Sequence, residues 1–205
     1  MKIYDITRPL QDAPVYPGSK PPQLERLRDV ERGDEYSITS VTADSHAGTH
    51  ADAFSHYLAG GASIDQMPLE QFCGTCRVLT VPPDDLIKAD DLRGRLDGAE
   101  RLALHGGGNA FLCEEAAEYI AEQGIRLLLT DAWSVGPLDN ETRIHKTLLR
   151  GGVAIIENAL LDDVPDGDYL VFAFPAKYRG CDGAPVRAVL LQGETQEPAP
   201  TDAKG

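Results

Sequence analysis

The stretch SHAGTHADAFSH, residues 45–56, holds three of the five histidines of the chain and one aspartate between them. Side chains alternate between two faces along an extended segment, so His46, His50, Asp52 and His56 would share one face. The Cα atoms of His50 and Asp52 would then lie roughly 6.6–7 Å apart, from a rise of about 3.3 Å per residue. That separation allows both side chains to bind one ion. Imidazole and carboxylate groups are ligands typical of zinc, manganese or iron(II), and the stretch therefore predicts a metal site.

The ends of this stretch cannot meet on a straight strand. His46 and His56 would lie about 33 Å apart by the same rise per residue. A bend is therefore required if both are to reach one centre. Gly48 lies between the first two histidines, where it allows a bend and leaves room beside an ion because it has no side chain.

Two downstream residues are candidates for completing the ligand set. His145 falls on the edge of the apolar stripe of a predicted helix over residues 141–150. Glu157 follows the apolar run 153–156, where a buried carboxylate is costly unless it is paired or binds a metal. The alternatives are a partly exposed helix residue for His145 and an ion pair with Arg or Lys for Glu157. Together with the histidine cluster, the metal interpretation is favoured for both.

The composition limits the classes of partner. The chain has 205 residues and a formal net charge of −14, from 33 acidic and 19 basic residues. Nucleic acids and anionic membranes attract positive surfaces, so neither is expected as a partner. No apolar run approaches the roughly 20 residues of a membrane span. The opening MKIYDITRPL lacks the apolar centre of a secretory signal, which predicts a cytoplasmic location.

Strands outnumber helices in the predicted order of elements, and the clearest helices fall between strands. This order indicates an α/β fold with a mixed, β-rich core. We expect a single domain over residues 1–193 and a disordered tail over 194–205, because Pro, Thr, Glu and Gln dominate the end of the chain. The predicted strands are 2–6, 77–81, 101–104, 125–129, 153–156, 169–174 and 186–191, and the predicted helices are 84–96, 114–123 and 141–150.

The chain also contains one Cys-x-x-Cys pair, Cys73 and Cys76. Such a pair is found in redox and zinc-binding motifs. No second pair follows, and Cys76 begins the apolar run CRVLTV. We therefore expect buried free thiols, with a redox protein as an alternative hypothesis.

The histidine stretch resembles the signature of the metal-dependent cyclase superfamily, whose best-known members are the bacterial kynurenine formamidases (arylformamidases). The pattern is His46-x-Gly48-Thr49-His50-x-Asp52-x-x-x-His56. The resemblance extends over nearly the whole chain and implies a swivelling β/β/α domain, usually in dimers or tetramers. Further similar segments are Tyr4-Asp5-Ile6, Val15-Tyr16-Pro17-Gly18, Asp131-Ala132-Trp133-Ser134-Val135, His145-x-x-Leu148-Leu149, Ile155-Ile156-Glu157-Asn158 and Gly183-Ala184-Pro185-Val186-Arg187-Ala188.

The resemblance also implies a ligand set for one or two zinc or manganese ions per subunit. His46, His50 and Asp52 would hold one ion. Asp52, His145 and Glu157 would hold a second, with the carboxylate of Asp52 shared between the two.

The remaining predicted site residues serve the reaction. His56 would transfer protons between water, activated by the metal, and the leaving amine. Tyr16, Phe54 and Trp133 could contact an aryl group of the substrate, and Ser134 could support the site from behind. The predicted function is hydrolysis of a small-molecule amide, an aryl formamide such as N-formylkynurenine.

Three positions near the predicted substrate differ from the family pattern, so the substrate stays open. Phe54 stands where proline is common, Ser19 follows Pro17-Gly18 where aspartate is common, and His105 precedes a run of three glycines. His105 could contact substrate or be only a loop histidine. The alternatives are a hydrolase of cyclic, isatin-like amides and a metal-binding protein without catalytic activity.

Overall fold

The computed structural model describes residues 1–83 and 85–193. The three α-helices in this part of the chain are α1 (Ala89–Leu92), α2 (Glu114–Glu122) and α3 (Glu141–Arg150). The strands are β1 (Lys2–Asp5), β2 (Gln23–Arg28), β3 (Ile38–Thr42), β4 (His50–Asp52), β5 (Cys73–Thr80), β6 (Arg101–His105), β7 (Leu127–Thr130), β8 (Ala154–Glu157), β9 (Gly167–Phe172), β10 (Gly183–Pro185) and β11 (Val189–Gln192).

Nine strands form one mixed sheet in the order β1-β11-β9-β5-β6-β7-β8-β4-β10. Strands β5 to β8 are parallel neighbours, and the flanking strands pair antiparallel. Helix α2 connects β6 to β7, and α3 connects β7 to β8. Every residue of β7 is buried, as expected for a parallel strand covered on both faces. Strands β2 and β3 form a separate two-stranded ribbon.

Each face of the sheet has its own hydrophobic core. One core lies under the helices and includes Ile144, Leu148 and Ile155. The other gathers residues from distant positions in the strand order, such as Tyr4 on β1 and Ala184 on β10. Strands so far apart in the sheet can share a core only because the sheet curls. The predicted α/β fold with a β-rich core, of the swivelling β/β/α kind, is confirmed.

The structure differs from the sequence prediction in two segments. The helix predicted over 84–96 shortens to α1, because the bridge between Ile87 and Leu112 keeps its start extended and Gly94 takes a positive φ of 70°. Within residues 45–56, only β4 is extended. The predicted tail at 194–205 lies outside the described residues. In the described part of the chain, no helix is both long and apolar enough to cross a membrane.

Candidate metal centre and active site

Strands β4 and β8 supply three of the predicted ligands through their register. His50 and Asp52 are two residues apart on β4, so their side chains lie on the same face. Glu157, the last residue of β8, pairs directly with His50. His50 Nε2 lies 3.4 Å from both Asp52 Oδ1 and Glu157 Oε2. The donor atoms of these three buried residues all lie within 4.8 Å of one another.

Helix α3 brings His145 to the same group, because it packs against the face of the sheet that carries these side chains. His145 Nε2 lies 3.1 Å from Glu157 Oε1 and 3.4 Å from Asp52 Oδ2. The distant pair His145 and Glu157 therefore lies within reach of the β4 residues.

Backbone carbonyls orient the two buried imidazoles. His145 Nδ1 lies 2.8 Å from the carbonyl oxygen of Glu141, and His50 Nδ1 lies 2.9 Å from that of Gly48. A carbonyl oxygen only accepts, so each Nδ1 carries the hydrogen and each Nε2 faces the carboxylates. Metal-binding histidines are commonly fixed by this arrangement, because it leaves Nε2 for the ion.

Two bends bring His46 and His56 to the site. Gly48 adopts a positive φ of 71°, as the sequence predicts for a bend. After β4, a single turn of 3-10 helix, Phe54–His56, reverses the chain. The imidazole rings of His46 and His56 stack with their centroids 4.0 Å apart. Residues that would lie about 33 Å apart on a straight strand are therefore in contact.

The charges of the buried group are balanced within it. Burial disfavours a charged imidazole, but the carboxylates of Asp52 and Glu157 outweigh burial and raise the pKa values of His50 and His145 to about 10. Burial raises the pKa of Asp52, but His145, His46 and His50 hold it well below its usual value. The two carboxylates therefore favour positive charge at this place. A divalent ion would supply such charge.

The polar atoms at the centre fit a cation. His50 Nε2 and Asp52 Oδ2 are buried and lack a hydrogen-bond partner within the described residues. Buried polar atoms of this kind are costly and require an explanation. Imidazole nitrogens and carboxylate oxygens are also the donors preferred by zinc and manganese. The group formed by His50, Asp52 and Glu157 could therefore hold a metal ion.

A second group shares Asp52 with the first. Donor atoms of His46, Asp52 and His56 also lie within 4.8 Å of one another. His46 Nδ1 lies 2.9 Å from Asp52 Oδ1. Burial lowers the pKa of His56. This grouping differs from the one implied by the family resemblance, because it places His56 beside His46 and Asp52.

The sequence analysis did not identify Asp182, whose carboxylate lies beside both His46 and His56. Its Oδ2 is 3.2 Å from His46 Nε2 and 3.6 Å from His56 Nδ1. Ser45 donates a hydrogen bond of 3.0 Å to its Oδ1. Asp182 has no sequence signal, since it precedes β10 far along the chain and reaches the histidines only because β10 pairs with β4.

A cavity of about 230 Å³ opens over the metal group. The predicted substrate residues Tyr16, Trp133 and Ser134 line it, whereas Phe54 packs against both hydrophobic cores and is not among its described lining residues. Tyr16 and Trp133 contact edge to face with their centroids 5.6 Å apart. Its lining within the described residues is Pro14, Tyr16, Ser19, His46, His50, His56, Tyr57, Trp133, Ser134, Glu141, His145, Glu157 and Asn158.

Tyr57 and Glu141 are among the lining residues that the sequence analysis did not assign to the site. Tyr57 stacks on His145 with ring centroids 4.5 Å apart, and Glu141 begins α3. His105, whose role the sequence left open, hydrogen-bonds through Nδ1 to Asp131 Oδ2 at 2.8 Å. The same oxygen accepts the backbone N–H of Gly106 and Gly108. Asp131 therefore holds the glycine turn.

Comparison with known proteins relates the sequence and fold of this chain to a family of hydrolases. Residues 4–137 match the family model described as "Putative cyclase". The kynurenine formamidase of Bacillus cytotoxicus is 36% identical over 199 residues, which cover 91% of this chain and 95% of the relative. A solved structure described as a "Potential Metal-Dependent Hydrolase With Cyclase Activity" is 33% identical, with a TM-score of 0.77 over 92% of this chain and 96% of the other.

A more distant solved structure shares the fold. Isatin hydrolase A from Labrenzia aggregata is 20% identical and superimposes with a TM-score of 0.78 over 94% of each chain. At this identity the likeness concerns the fold alone.

Fold, site and relatives together define a hydrolase of the metal-dependent class. The chain belongs to the cyclase family, as the resemblance of the histidine stretch predicts. The prediction of an enzyme, a hydrolase acting on a small molecule, is confirmed at this level. The donor geometry and the 33% identical hydrolase structure support a divalent metal ion as its cofactor.

Proposed function

We propose that this protein hydrolyses the C–N bond of an aryl formamide. Its relative from Bacillus cytotoxicus is named a kynurenine formamidase. The observation that carries the proposal is the convergence of five potential ligands and one further histidine beside a single cavity, which all of them except Asp52 line. His46, His50, Asp52, His145 and Glu157 are assigned to metal binding and His56 to proton transfer, which is supported by their mutual distances.

The cavity supplies groups for an aryl substrate. Trp133 and Tyr16 present aromatic surface in one wall, and aromatic rings pack favourably edge to face or offset. A volume of about 230 Å³ suits one small molecule with a single ring. Ser134 is buried, and its hydroxyl accepts a 3.5 Å hydrogen bond from the backbone N–H of Gly136, so we assign it to support of the cavity wall.

The reaction divides between the ion and the protein. When bound, a divalent ion lowers the pKa of water from 15.7 to about 7 and polarises a carbonyl oxygen. His56 lines the cavity and is held between the ring of His46 and the carboxylate of Asp182. From this position it would accept the proton of the attacking water and return it to the nitrogen of the leaving amine. General acid–base groups contribute about 10²–10⁴-fold to rate.

Formanilide hydrolysis followed by release of aniline tests the proposal. We expect turnover by the metal-treated protein and a loss of about 10²-fold or more in kcat for His56→Ala. His105→Ala is the matched control, because His105 is a histidine bonded to Asp131 and is not among the described residues of the cavity wall. No turnover of formanilide, or equal rates for the two variants, would contradict the assignment. Turnover of isatin without formanilide would instead favour a cyclic-amide hydrolase.

We further propose zinc or manganese as the ion, with two binding positions that share Asp52. The two donor groups overlap at Asp52, which supports a carboxylate shared between two positions. Elemental analysis of the purified protein, with titration of each metal into chelator-treated protein, measures both identity and stoichiometry. A plateau at one ion per chain would contradict the second position.

We propose a homo-oligomer because the two-stranded ribbon of β2 and β3 exposes apolar side chains. Leu24 and Val41 form a cross-strand pair there and are 43% and 58% exposed, although both are apolar. Apolar groups exposed together are typical of interaction surfaces. Light scattering after size exclusion should report a dimer or tetramer that Val41→Glu weakens. A wild-type monomer would contradict this proposal. A cytoplasmic location and a single domain over residues 1–193 stay predictions.

A further inference from the structure

Glu141 occupies a wall of the cavity that the hydrolytic reaction described above does not use. It is the first residue of α3, one turn before His145, and its carbonyl oxygen accepts the hydrogen bond from His145 Nδ1. Its side chain lines the cavity. The hydroxyl of Tyr16 donates a hydrogen bond to its Oε1. One oxygen of this carboxylate is therefore bound by the protein.

The other oxygen of the Glu141 carboxylate, Oε2, is not bound by any described residue of the protein. Glu141 Oε2 is buried and has no hydrogen-bond partner among residues 1–83 and 85–193. A buried carboxylate oxygen without a donor is costly, because burial removes water that would otherwise bind it. A position at a helix N-terminus explains why a carboxylate is favourable there. That position does not explain an oxygen that is both buried and unpartnered in the wall of a cavity.

The charges of the residues around the cavity indicate which kind of ligand group would donate to Glu141 Oε2. None of its described lining residues is lysine or arginine, although two are glutamates. Glu157 belongs to the metal group, where it lies 3.1 Å from His145 Nε2 and 3.4 Å from His50 Nε2. The donor nearest Glu141 is Tyr16, a neutral phenol. No lysine or arginine is among the described lining residues beside Glu141, and Oε2 has no donor among the described residues. A positively charged group of a ligand would supply that donor.

We propose that Glu141 determines substrate specificity by binding an ammonium group carried by the aryl formamide. This inference rests on the proposed function for the identity of the scissile group. The ammonium would donate to Oε2 while the ring lies toward Trp133 and Tyr16 and the formamide reaches the metal group. Neutral formamides lack this interaction, and anionic ones are repelled by the same carboxylate.

Two substrates that differ only in charge test the inference. Formanilide is neutral, and its derivative with a 2-aminoethyl group at the ortho position carries an ammonium at neutral pH. We expect Glu141→Gln to lower the ratio of kcat/KM for the cationic over the neutral substrate by about tenfold or more, the effect of one charge-assisted hydrogen bond. The change should appear in KM, because the contact is made on binding.

Two further variants serve as controls. Glu118→Gln removes the same charge from an exposed position of α2 and should keep the wild-type ratio. Glu141→Asp keeps the charge and should retain a preference for the cationic substrate even where Glu141→Gln folds poorly. Calorimetric binding of the amine product, 2-(2-aminophenyl)ethylammonium, to protein without added metal gives a readout independent of turnover, and Glu141→Gln should weaken it.

The outcomes separate this inference from the proposed function. If the wild type cleaves neither formamide but binds the ammonium product in a manner that depends on Glu141, the proposed reaction fails and the specificity role survives. If both formamides are cleaved and Glu141→Gln shows the same ratio and product affinity as Glu118→Gln, the reaction stands and the role of Glu141 is overturned.

Discussion

Replacing Gly183 by alanine tests whether the position of His46 matters to the site. Gly183 lies on β10 and pairs with Asp52 on β4. An added Cβ would lie 2.7 Å from His46 Cε1, 3.1 Å from His46 Nδ1 and 2.9 Å from the carbonyl oxygen of Ala51. Non-bonded carbon atoms pack at about 3.5–4.0 Å. Either the imidazole or the pairing of β10 with β4 must therefore shift by roughly 1 Å.

The consequence for the site follows from that displacement. His46 Nδ1 is 2.9 Å from Asp52 Oδ1, and a shift of roughly 1 Å takes this contact beyond hydrogen-bond range. Displacements of about 1 Å in a catalytic group can cost on the order of 10²-fold in rate. Overpacking should also cost about 1–3 kcal/mol of stability, which for a chain of this size lowers Tm by about 2–4 °C per kcal/mol.

The assay compares Gly183→Ala with Gly193→Ala. An added Cβ at Gly193 meets nothing within 4 Å, so this variant controls for the change of residue type. We expect Gly183→Ala to bind metal more weakly and to hydrolyse formanilide more slowly, with a lower Tm in thermal unfolding. Metal affinity and rates indistinguishable from those of Gly193→Ala would contradict this prediction, because a displaced His46 would then have no effect on the site.

Three further outcomes follow from buried polar groups. His145→Ala should weaken metal binding, measured by calorimetric titration, by more than the roughly 10–100-fold typical of groups that only orient a ligand; an unchanged affinity would remove His145 from the ligand set. Arg101 is fully buried and donates to backbone carbonyls. Arg101→Ala should lower the free energy of unfolding in denaturant by about 1–3 kcal/mol for each buried carbonyl left without a donor, whereas Arg93→Ala, at an exposed position, should change it by no more than about 0.5 kcal/mol. Burial raises the pKa of the Cys76 thiol to about 12, so iodoacetamide should modify it at neutral pH only after unfolding. The neutral form of the Cys76 thiol is the form compatible with burial in the folded protein. Its contribution to stability is fully present below the pKa of the thiol in the unfolded chain, about 8.5, and is lost as the pH rises toward 12.

Much of the fold could be predicted because local patterns and burial agree. The apolar run before Thr130 became a strand buried on both faces, and the helix over 141–150 begins and ends at the predicted residues. Its limits are marked by Asn140 and Gly151, which are typical at helix termini. The pair Cys73 and Cys76 lies three residues apart on β5, which directs the side chains to opposite faces. All four cysteines, each in the described part of the chain, are free, but the prediction of burial holds only for Cys76, because Cys73 is partly exposed.

The rest of the site depends on strand order, which no local pattern records. Asp182 and Tyr57 carry no periodic signal, and each reaches a histidine through tertiary contacts. Glu141 looked in sequence like an ordinary acidic residue in the first turn of a helix. Its contact with Tyr16 depends on where the loop before β2 crosses α3, and the spacing of residues along the chain does not fix that crossing.

The register between β4 and β8 is what turns a pattern of residues into a site. His50 pairs with Glu157, and Asp52 pairs with Ile155, so the two carboxylates and the imidazole emerge on the face covered by α3. A slip of one residue would move Glu157 to the opposite face, into the core that contains Ala51 and Ile156. The apolar residues that alternate with the ligands oppose such a slip, because it would expose them to the polar group. The same alternation that buries the core therefore sets the spacing of the metal ligands, and the two cannot be varied independently.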